Sequence, residues 1–250
     1  MNRRSLVLFL TISVVSFLSS RSLSGAVFGD FVYSDTGTSI TITGYNGIGG
    51  NIVIPDTIDG KPVTVIGSSA FESEVTISGR TMTLPRLISL QLKHPGEVTI
   101  PRSTLTLPPS LTAIEEGAFA DCDGFTGSLT IPEGVTSIGP AAFSGCSGFT
   151  GSLTLPSTLN EIGASAFFGC SGFTGSLVIP EGVTTIGDSA FRGCSGFNGT
   201  LTLPSTLATI GERAFSYCSG FDGTLALPST LTVIGAYAFW ECSGFSGLLT

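Results

Sequence analysis

From Leu105 onward the apolar positions of this chain fall on a grid with a 24-residue step. Ile114, Ile138, Ile162, Ile186, Ile210 and Ile234 hold one column. Phe119, Phe143, Phe167, Phe191, Phe215 and Phe239 hold a second, and Phe125, Phe149, Phe173, Phe197, Phe221 and Phe245 a third. Cys122, Cys146, Cys170, Cys194, Cys218 and Cys242 keep the same step. One coil reads L-x-[IL]-P-x-x-[VL]-x-x-I-x-x-x-A-F-x-x-C-x-G-F-x-G-x, with six full copies from Leu105 to Leu248. A unit this small cannot bury a face alone, so each must stack on its neighbours around one continuous core. The spacing therefore predicts a mainly β repeat solenoid of 24-residue coils. Positions that repeat face identical rungs and positions that drift face solvent. In the second copy the inward set is Leu129, Ile131, Val135, Ile138, Ala142, Phe143, Cys146 and Phe149.

Within a coil, "SLTLP" alternates polar and apolar residues at period two, which predicts a short strand with Leu153 and Leu155 inward and Ser152 and Thr154 outward. The proline ends its ladder. "IGASAFFGC" sets Ala166 and Phe167 between glycines and predicts a single helical or 3₁₀ turn, with Gly163 at a corner. Upstream, "FVYSDTGTSITITG" has the alternation and turn of a hairpin, with Phe31, Tyr33, Ile40 and Ile42 on one side, and would cap the first rung. Ile52 to Phe71 reads as a first coil with an insertion at "DGKP". Between Val75 and Thr104, "MTLP" and "VTIP" read as strand fragments of two worn coils.

The runs "LTIPEGVTSIGPAAFSGC" and "IPDTIDGKPVTVIGSSAF" closely resemble the BspA-like leucine-rich repeats of bacterial and protist surface proteins. The resemblance covers Gly29 to Thr250. It implies a right-handed leucine-rich-repeat superhelix with a parallel β-sheet, exported, adhering to host proteins or other cells, with no catalytic residues to carry over. The sequence departs from the family in an extra glycine, in "SGFTGS", and in Ser73-Glu74 where a cysteine would follow Ala70-Phe71.

The N-terminus changes the compartment. Arg3 and Arg4 precede an uncharged apolar run from Leu6 to Leu18, and small residues at Ser24 and Ala26 offer a cleavage site before Val27. The run is shorter than the roughly 20 residues of a membrane span, so it reads as a secretory signal peptide, with no transmembrane span expected. The expected organisation is a signal peptide over 1–26, a hairpin cap over 27–50, degenerate coils over 51–104 and regular repeats over 105–250, the whole secreted or held at a cell surface. Leu249 and Thr250 match Leu129 and Thr130 and open a seventh coil with no polar closing unit after it. The expectation is a piece of a longer repeat protein, a covered C-terminal face, or self-association through the rung of Ile234, Phe239 and Phe245.

Charge and chemistry narrow the function. Without Arg3, Arg4 and Arg21, seven of the ten basic residues face 18 acidic ones, a balance that disfavours nucleic acid and anionic membranes. From Leu105 onward Arg192 and Arg213 are the only cations. Six cysteines in an exported chain suggest disulfides. Stacked rungs, however, set parallel Cβ atoms about 4.8 Å apart, beyond the roughly 3.5–4.5 Å that disulfides use, which predicts free buried thiols. A linear ladder makes no tetrahedral zinc site, and no cofactor is expected. The lone His94 reads as a loop residue, and Glu115-Glu116 and Asp121/Asp123 occur in one copy only, as a solvated face does. Asn198 opens an "NGT" glycosylation sequon. No nucleophile-base pairing repeats with the coils, so an enzyme is not expected.

What remains is surface. The drifting positions after the repeated Phe, together with those before it, set Phe168, Arg192, Arg213, Tyr217, Tyr237 and Trp240 along one edge. Tyrosine, tryptophan and arginine dominate protein interfaces, and this edge is the candidate partner-binding site for proteins on other cells or in extracellular matrix. The rival reading is a structural or ice-binding solenoid built on the hydroxyl pairs Ser128/Thr130, Ser152/Thr154 and Thr200/Thr202, interrupted at Val178 and Ala226.

Overall fold

The computed structural model describes residues 25–47, 51–72, 74–77, 80–83 and 103–246. The leader as far as Ser24, the "VTIP" run and His94 lie outside them. The chain opens with three antiparallel strands, β1 (Ala26–Phe28), β2 (Phe31–Asp35) and β3 (Ile40–Tyr45). A register shift between Val32 and Tyr33 brings both inside, at 1% and 7% exposure, beside Ile40 and Ile42. Strict alternation would have turned Val32 outward; the bulge is why it does not. The boundary expected between leader and cap falls inside β1, which starts at Ala26.

The first coil holds β4 (Ile52–Val53), β5 (Thr57–Ile58) and β6 (Lys61–Ile66). Its "DG" insertion is a tight turn with Asp59 and Gly60 both left-handed, at φ 51° and 76°. Tyr33 Oη donates to Asp59 over 2.7 Å and Lys61 donates to Asp35, holding that carboxyl below its usual range. The cap meets the solenoid through β3, which pairs in parallel with β6. β7 (Glu74–Ile77) and β8 (Arg80–Thr83) then form an antiparallel hairpin of their own.

β4 pairs directly with β9 (Leu105–Thr106), and β6 directly with β10 (Ala113–Ile114). Phe71 stacks on Phe119 at 4.6 Å, and Ser103 bridges to Phe125. No worn coils separate the first coil from the regular ones. The chain leaves the coil after Glu72, where the repeat would place its cysteine, and has rejoined the rung by Ser103. "MTLP" therefore starts inside the hairpin strand β8 rather than in a worn coil.

The regular coils add β11 (Leu129–Thr130) and β12 (Ser137–Ile138), β13 (Leu153–Thr154) and β14 (Glu161–Ile162), β15 (Leu177–Val178) and β16 (Thr185–Ile186), β17 (Leu201–Thr202) and β18 (Thr209–Ile210), and finally β19 (Val233–Ile234). The continuous parallel sheet is not the leucine face. It runs β3-β6-β10-β12-β14-β16-β18-β19 through the isoleucine column, whereas the leucine strands pair only two by two, β4 with β9, β11 with β13 and β15 with β17. The whole expected inward set of the second copy is buried, and each phenylalanine column is a stack of near-parallel rings, as at Phe143 and Phe167, 5.4 Å and 3° apart. Burying each such side chain contributes about 1.5–3 kcal/mol.

The Ala-Phe corner is not helical, and no helix occurs among the described residues. Its amides alternate in direction. Those of Ala142, Ser144 and Cys146 donate three residues back within the coil, to Gly139, Ala141 and Phe143. Those of Ala141, Phe143 and Gly145 donate to the next rung, to Ala164, Ala166 and Phe168, over 2.7–2.8 Å. A 3₁₀ turn needs every amide to point along the chain. Here half are drawn sideways, because stacked rungs leave carbonyls that must be satisfied. The alternation requires left-handed residues four apart, at Ala141 (φ 53°) and Gly145 (φ 78°) and their equivalents. Gly163 serves differently: a Cβ there would sit 2.6 Å from the Gly139 carbonyl carbon below, so it permits close stacking rather than a corner.

The coils also come in twos. Gly127 and Gly175 are left-handed and Gly151 and Gly199 are not. Glu133 accepts from the amide and hydroxyl of Ser157 one rung on, as Glu181 does from Ser205, which lowers the Glu181 pKa. Glu-Gly and Ser-Thr alternate at these places over Leu129 to Leu207, so the exact repeat there is two coils long.

Candidate functional site

Six thiols run up the core, and none is in a disulfide. They are more than small hydrophobes. Cys146, Cys170, Cys194, Cys218 and Cys242 each donate Sγ–H to the carbonyl of the phenylalanine 27 residues earlier, over 2.9–3.1 Å. Cys122, over Phe71, reaches only 4.0 Å. Burial pushes every one of these thiols up, Cys242 to about 11 and the interior ones further. A protonated thiol shielded from solvent is neither nucleophile nor metal ligand. Among the described residues no group of three His, Cys, Asp or Glu side chains could hold a metal ion.

The hydroxyl face is discontinuous. Ser152 bonds Ser128 and Thr200 bonds Ser176, both over 3.3 Å, following the two-by-two pairing of the leucine strands. This array has the 48-residue step of the paired coils, not the even ladder that an ice-ordering surface requires.

The edge residues, by contrast, meet. The corner places four outward columns on each coil: the two positions before the repeated Ala-Phe and the two after it. In the last three regular coils these carry Asp188, Ser189, Arg192 and Gly193; Glu212, Arg213, Ser216 and Tyr217; and Ala236, Tyr237, Trp240 and Glu241. The Arg192 guanidinium lies 5.5 Å from the ring centre of Phe168 and 5.7 Å from that of Tyr217. Tyr217 meets Trp240 edge-on at 4.9 Å, and Trp240 meets Tyr237 at 6.1 Å. Arg213 covers Tyr237 at 5.2 Å and pairs with Glu212. All six predicted residues thus form one band crossing four coils, with Phe168, Tyr217, Tyr237 and Trp240 between 36% and 58% exposed.

Two members were not foreseen. Glu212 was invisible because a charged neighbour of Arg213 looks like any solvated residue. Ser216 was invisible because serine is ordinary in a turn. Its column otherwise runs Phe168, Arg192, Trp240 in these coils, and that break in large side chains was the available signal. Ser216 is fully buried and its Oγ has no hydrogen-bond partner. Tyr217 is left-handed at φ 62°, where Gly145, Gly169 and Gly193 stand in the coils before it.

A sequence profile described as the BspA type leucine-rich repeat region matches the chain in six copies, over residues 99–196 and 173–248. A leucine-rich repeat protein of T. pallidum has a crystal structure similar to this one, with a TM-score of 0.68 and 26% identity over 89% of this chain and 91% of that one. A leucine-rich repeat protein from Bacteroides ovatus gives 0.65 and 29%, covering 87% of this chain and 51% of its own. A leucine-rich cell surface protein from Faecalibacterium prausnitzii gives 0.64 and 27%, covering 91% and 55%. This chain thus spans about half the length of the latter two. No curated protein matches it.

Proposed function

This chain belongs to the BspA-type leucine-rich repeat family, and we propose that it is an exported, non-enzymatic protein-binding module whose aromatic-cationic edge engages proteins on other cells or in extracellular matrix. The observation that carries this reading is the contrast between columns. The inward columns repeat coil after coil, whereas the edge gathers Tyr217, Tyr237 and Trp240, half exposed, with both cations of the regular coils. Rings that present a large area on few rotatable bonds are what interfaces use as anchors. Export is supported by the reading of residues 1–26 as a leader and by the name of the F. prausnitzii relative, a cell surface protein. No helix of the described residues is long and apolar enough to cross a membrane.

The test is binding of the purified chain to arrayed extracellular-matrix and surface proteins, beside a Tyr237→Ala/Trp240→Ala variant and a Ser144→Ala/Ser165→Ala variant of the bland edge. Loss confined to the first variant, with melting unchanged in both, supports the reading. Binding that survives in both variants, or disappears equally in both, overturns it.

A further inference from the structure

The band contains a cation with no acidic partner among the described residues. Of the two arginines beyond Leu105, Arg213 is paired with Glu212. Arg192 lies between the rings of Phe168 and Tyr217, and among the described residues no carboxylate, hydroxyl or carbonyl accepts from its guanidinium. The other two cations whose side chains are described, Lys61 and Arg213, are each paired with a carboxylate. A ring in the coil before and one in the coil after restrict the guanidinium while leaving its N–H groups without a protein acceptor among the described residues. The surroundings are built around that placement. Tyr217 adopts a backbone conformation that bulky residues avoid, in a column otherwise glycine through the three preceding coils. Ser216, in the same column as Arg192 and Trp240, supplies no side chain to compete with the Tyr217 ring and keeps a buried hydroxyl unpaired.

We propose that Arg192 is the anchor for a single carboxylate, the Asp or Glu side chain of an extended segment of a partner protein whose flanking apolar side chains lie over Trp240 and Tyr237. This rests on the protein-binding reading above. A guanidinium edge matches a carboxylate with two parallel hydrogen bonds, and one already held between rings loses little freedom on making them. The acidic remainder of the surface repels a strongly acidic partner, so the carboxylate is an isolated one in a neutral or basic stretch. The band spans three rung steps from Phe168 to Tyr237, about 14 Å at the inter-strand spacing, which about four residues of extended chain cover.

The probe is an array of lysine- and leucine-containing dodecapeptides, each carrying one glutamate and each synthesised with a glutamine twin, with affinities of the leading pairs read by fluorescence anisotropy against the full chain. The expected result is a preference for glutamate of about tenfold or more, as a charge-assisted bidentate contact gives. Arg192→Gln should erase that preference with melting unchanged, while the Ser144→Ala/Ser165→Ala variant of the bland edge should keep it. Equal binding of the twins, a preference that survives Arg192→Gln, or Arg192-dependent binding of sialyllactose without any glutamate preference, would each overturn the assignment. The matrix and surface-protein assay separates this from the broader reading. If Tyr237→Ala/Trp240→Ala abolishes binding and Arg192→Gln does not, the edge stands and the carboxylate anchor falls. If neither change matters, both fall.

Discussion

The corners of the second and third regular coils and those of the fourth to sixth are built on the same backbone and carry opposite surfaces. The earlier two present Pro140, Ala141, Ser144 and Gly145, then Ala164, Ser165, Phe168 and Gly169; the later three hold Arg192, Arg213, Tyr217, Tyr237 and Trp240. Beneath both, the rings stack alike: Phe143 lies 5.0 and 5.4 Å from its neighbours and Phe215 lies 5.3 Å from both of its own. The amides alternate alike as well, Ala141 donating to Ala164 as Arg213 donates to Ala236. A solenoid therefore separates two tasks that a globular domain mixes. Stability sits in inward columns and rung-to-rung bonds, which tolerate almost no variation, whereas the outward columns are freer to vary and hold the edge proposed for recognition.

The largest expected effect strikes both regions together, through the thiol ladder. The folded pKa of each thiol is raised, so its contribution to stability is fully present below the unfolded value near 9.0 and is lost as pH rises above it. The unfolded chain then releases protons that the folded chain holds. Five fully buried thiols give a slope of about 7 kcal/mol per pH unit above that point, at about 1.4 kcal/mol per unit each. That is comparable to the whole stability of a domain. Cooperative unfolding between about pH 9 and 10.5 is expected, with stability flat from pH 6 to 8, by circular dichroism across a pH series. Hydrogen exchange should rise at both corners at the same pH; loss of protection in one region alone would break the equivalence.

Next in size is truncation of one ring under each region. Phe143→Ala and Phe215→Ala each remove a fully buried side chain stacked on both sides, and each should cost about 3–5 kcal/mol in urea denaturation, equal within error. A much smaller cost at Phe215 would mean that the decorated edge, rather than the core, holds the later coils together.

How much of this is legible in the sequence depends on whether a position's neighbour is another copy of itself. Ile138, Phe143 and Cys146 contact their own repeats, so periodicity alone places them inside, and Tyr217 and Trp240 could be placed on an edge because they depart from the pattern. The parallel sheet was expected from the family resemblance, but its place on the isoleucine column was not legible, because β12 and β14 are two residues long and such strands leave no alternation to read. The corner was misread as helical for a physical reason: which amides turn sideways depends on carbonyls 23 residues away, and local sequence cannot report them. The hairpin of β7 and β8 lay in the one stretch where the repeat is interrupted. The pairing of coils was written in the alternation of Glu133-Gly134 with Ser157-Thr158, a signal that a single-coil consensus averages out.

That pairing gives a subtler way to sharpen the comparison. Deleting Leu153 to Ser176 brings Glu181 over Glu133, removing the Ser157 donors and setting like charges on neighbouring rungs. Deleting Leu153 to Thr200 instead brings Ser205 over Glu133 and restores the contact in register. Both variants should fold, and the one-coil deletion should cost more than half of what the two-coil deletion costs in urea denaturation. Costs in the ratio of coils removed would show that each coil is interchangeable with every other.

The smallest expected effect is the most informative about the edge. Tyr217→Gly makes the fifth regular coil match the second, third and fourth, where Gly145, Gly169 and Gly193 take the same left-handed conformation. Two consequences oppose each other. Relief of backbone strain at a bulky left-handed residue favours the variant by about 1–2 kcal/mol. Loss of the contacts with Arg192 and Trp240 disfavours it by about 0.5–1.5 kcal/mol each at partly exposed positions. The net change in stability should fall within about 1 kcal/mol of zero, whereas binding through the band should be lost, because Arg192 is left with a ring on one face only and regains rotational freedom. The converse change, Gly169→Tyr, meets no atom within 4 Å of its Cβ and should be tolerated at about 1–2 kcal/mol. If Tyr217→Gly instead destabilised the fold by several kcal/mol while leaving binding intact, the aromatic band would be a brace between the later coils, and the division of labour between inward and outward columns would not hold there.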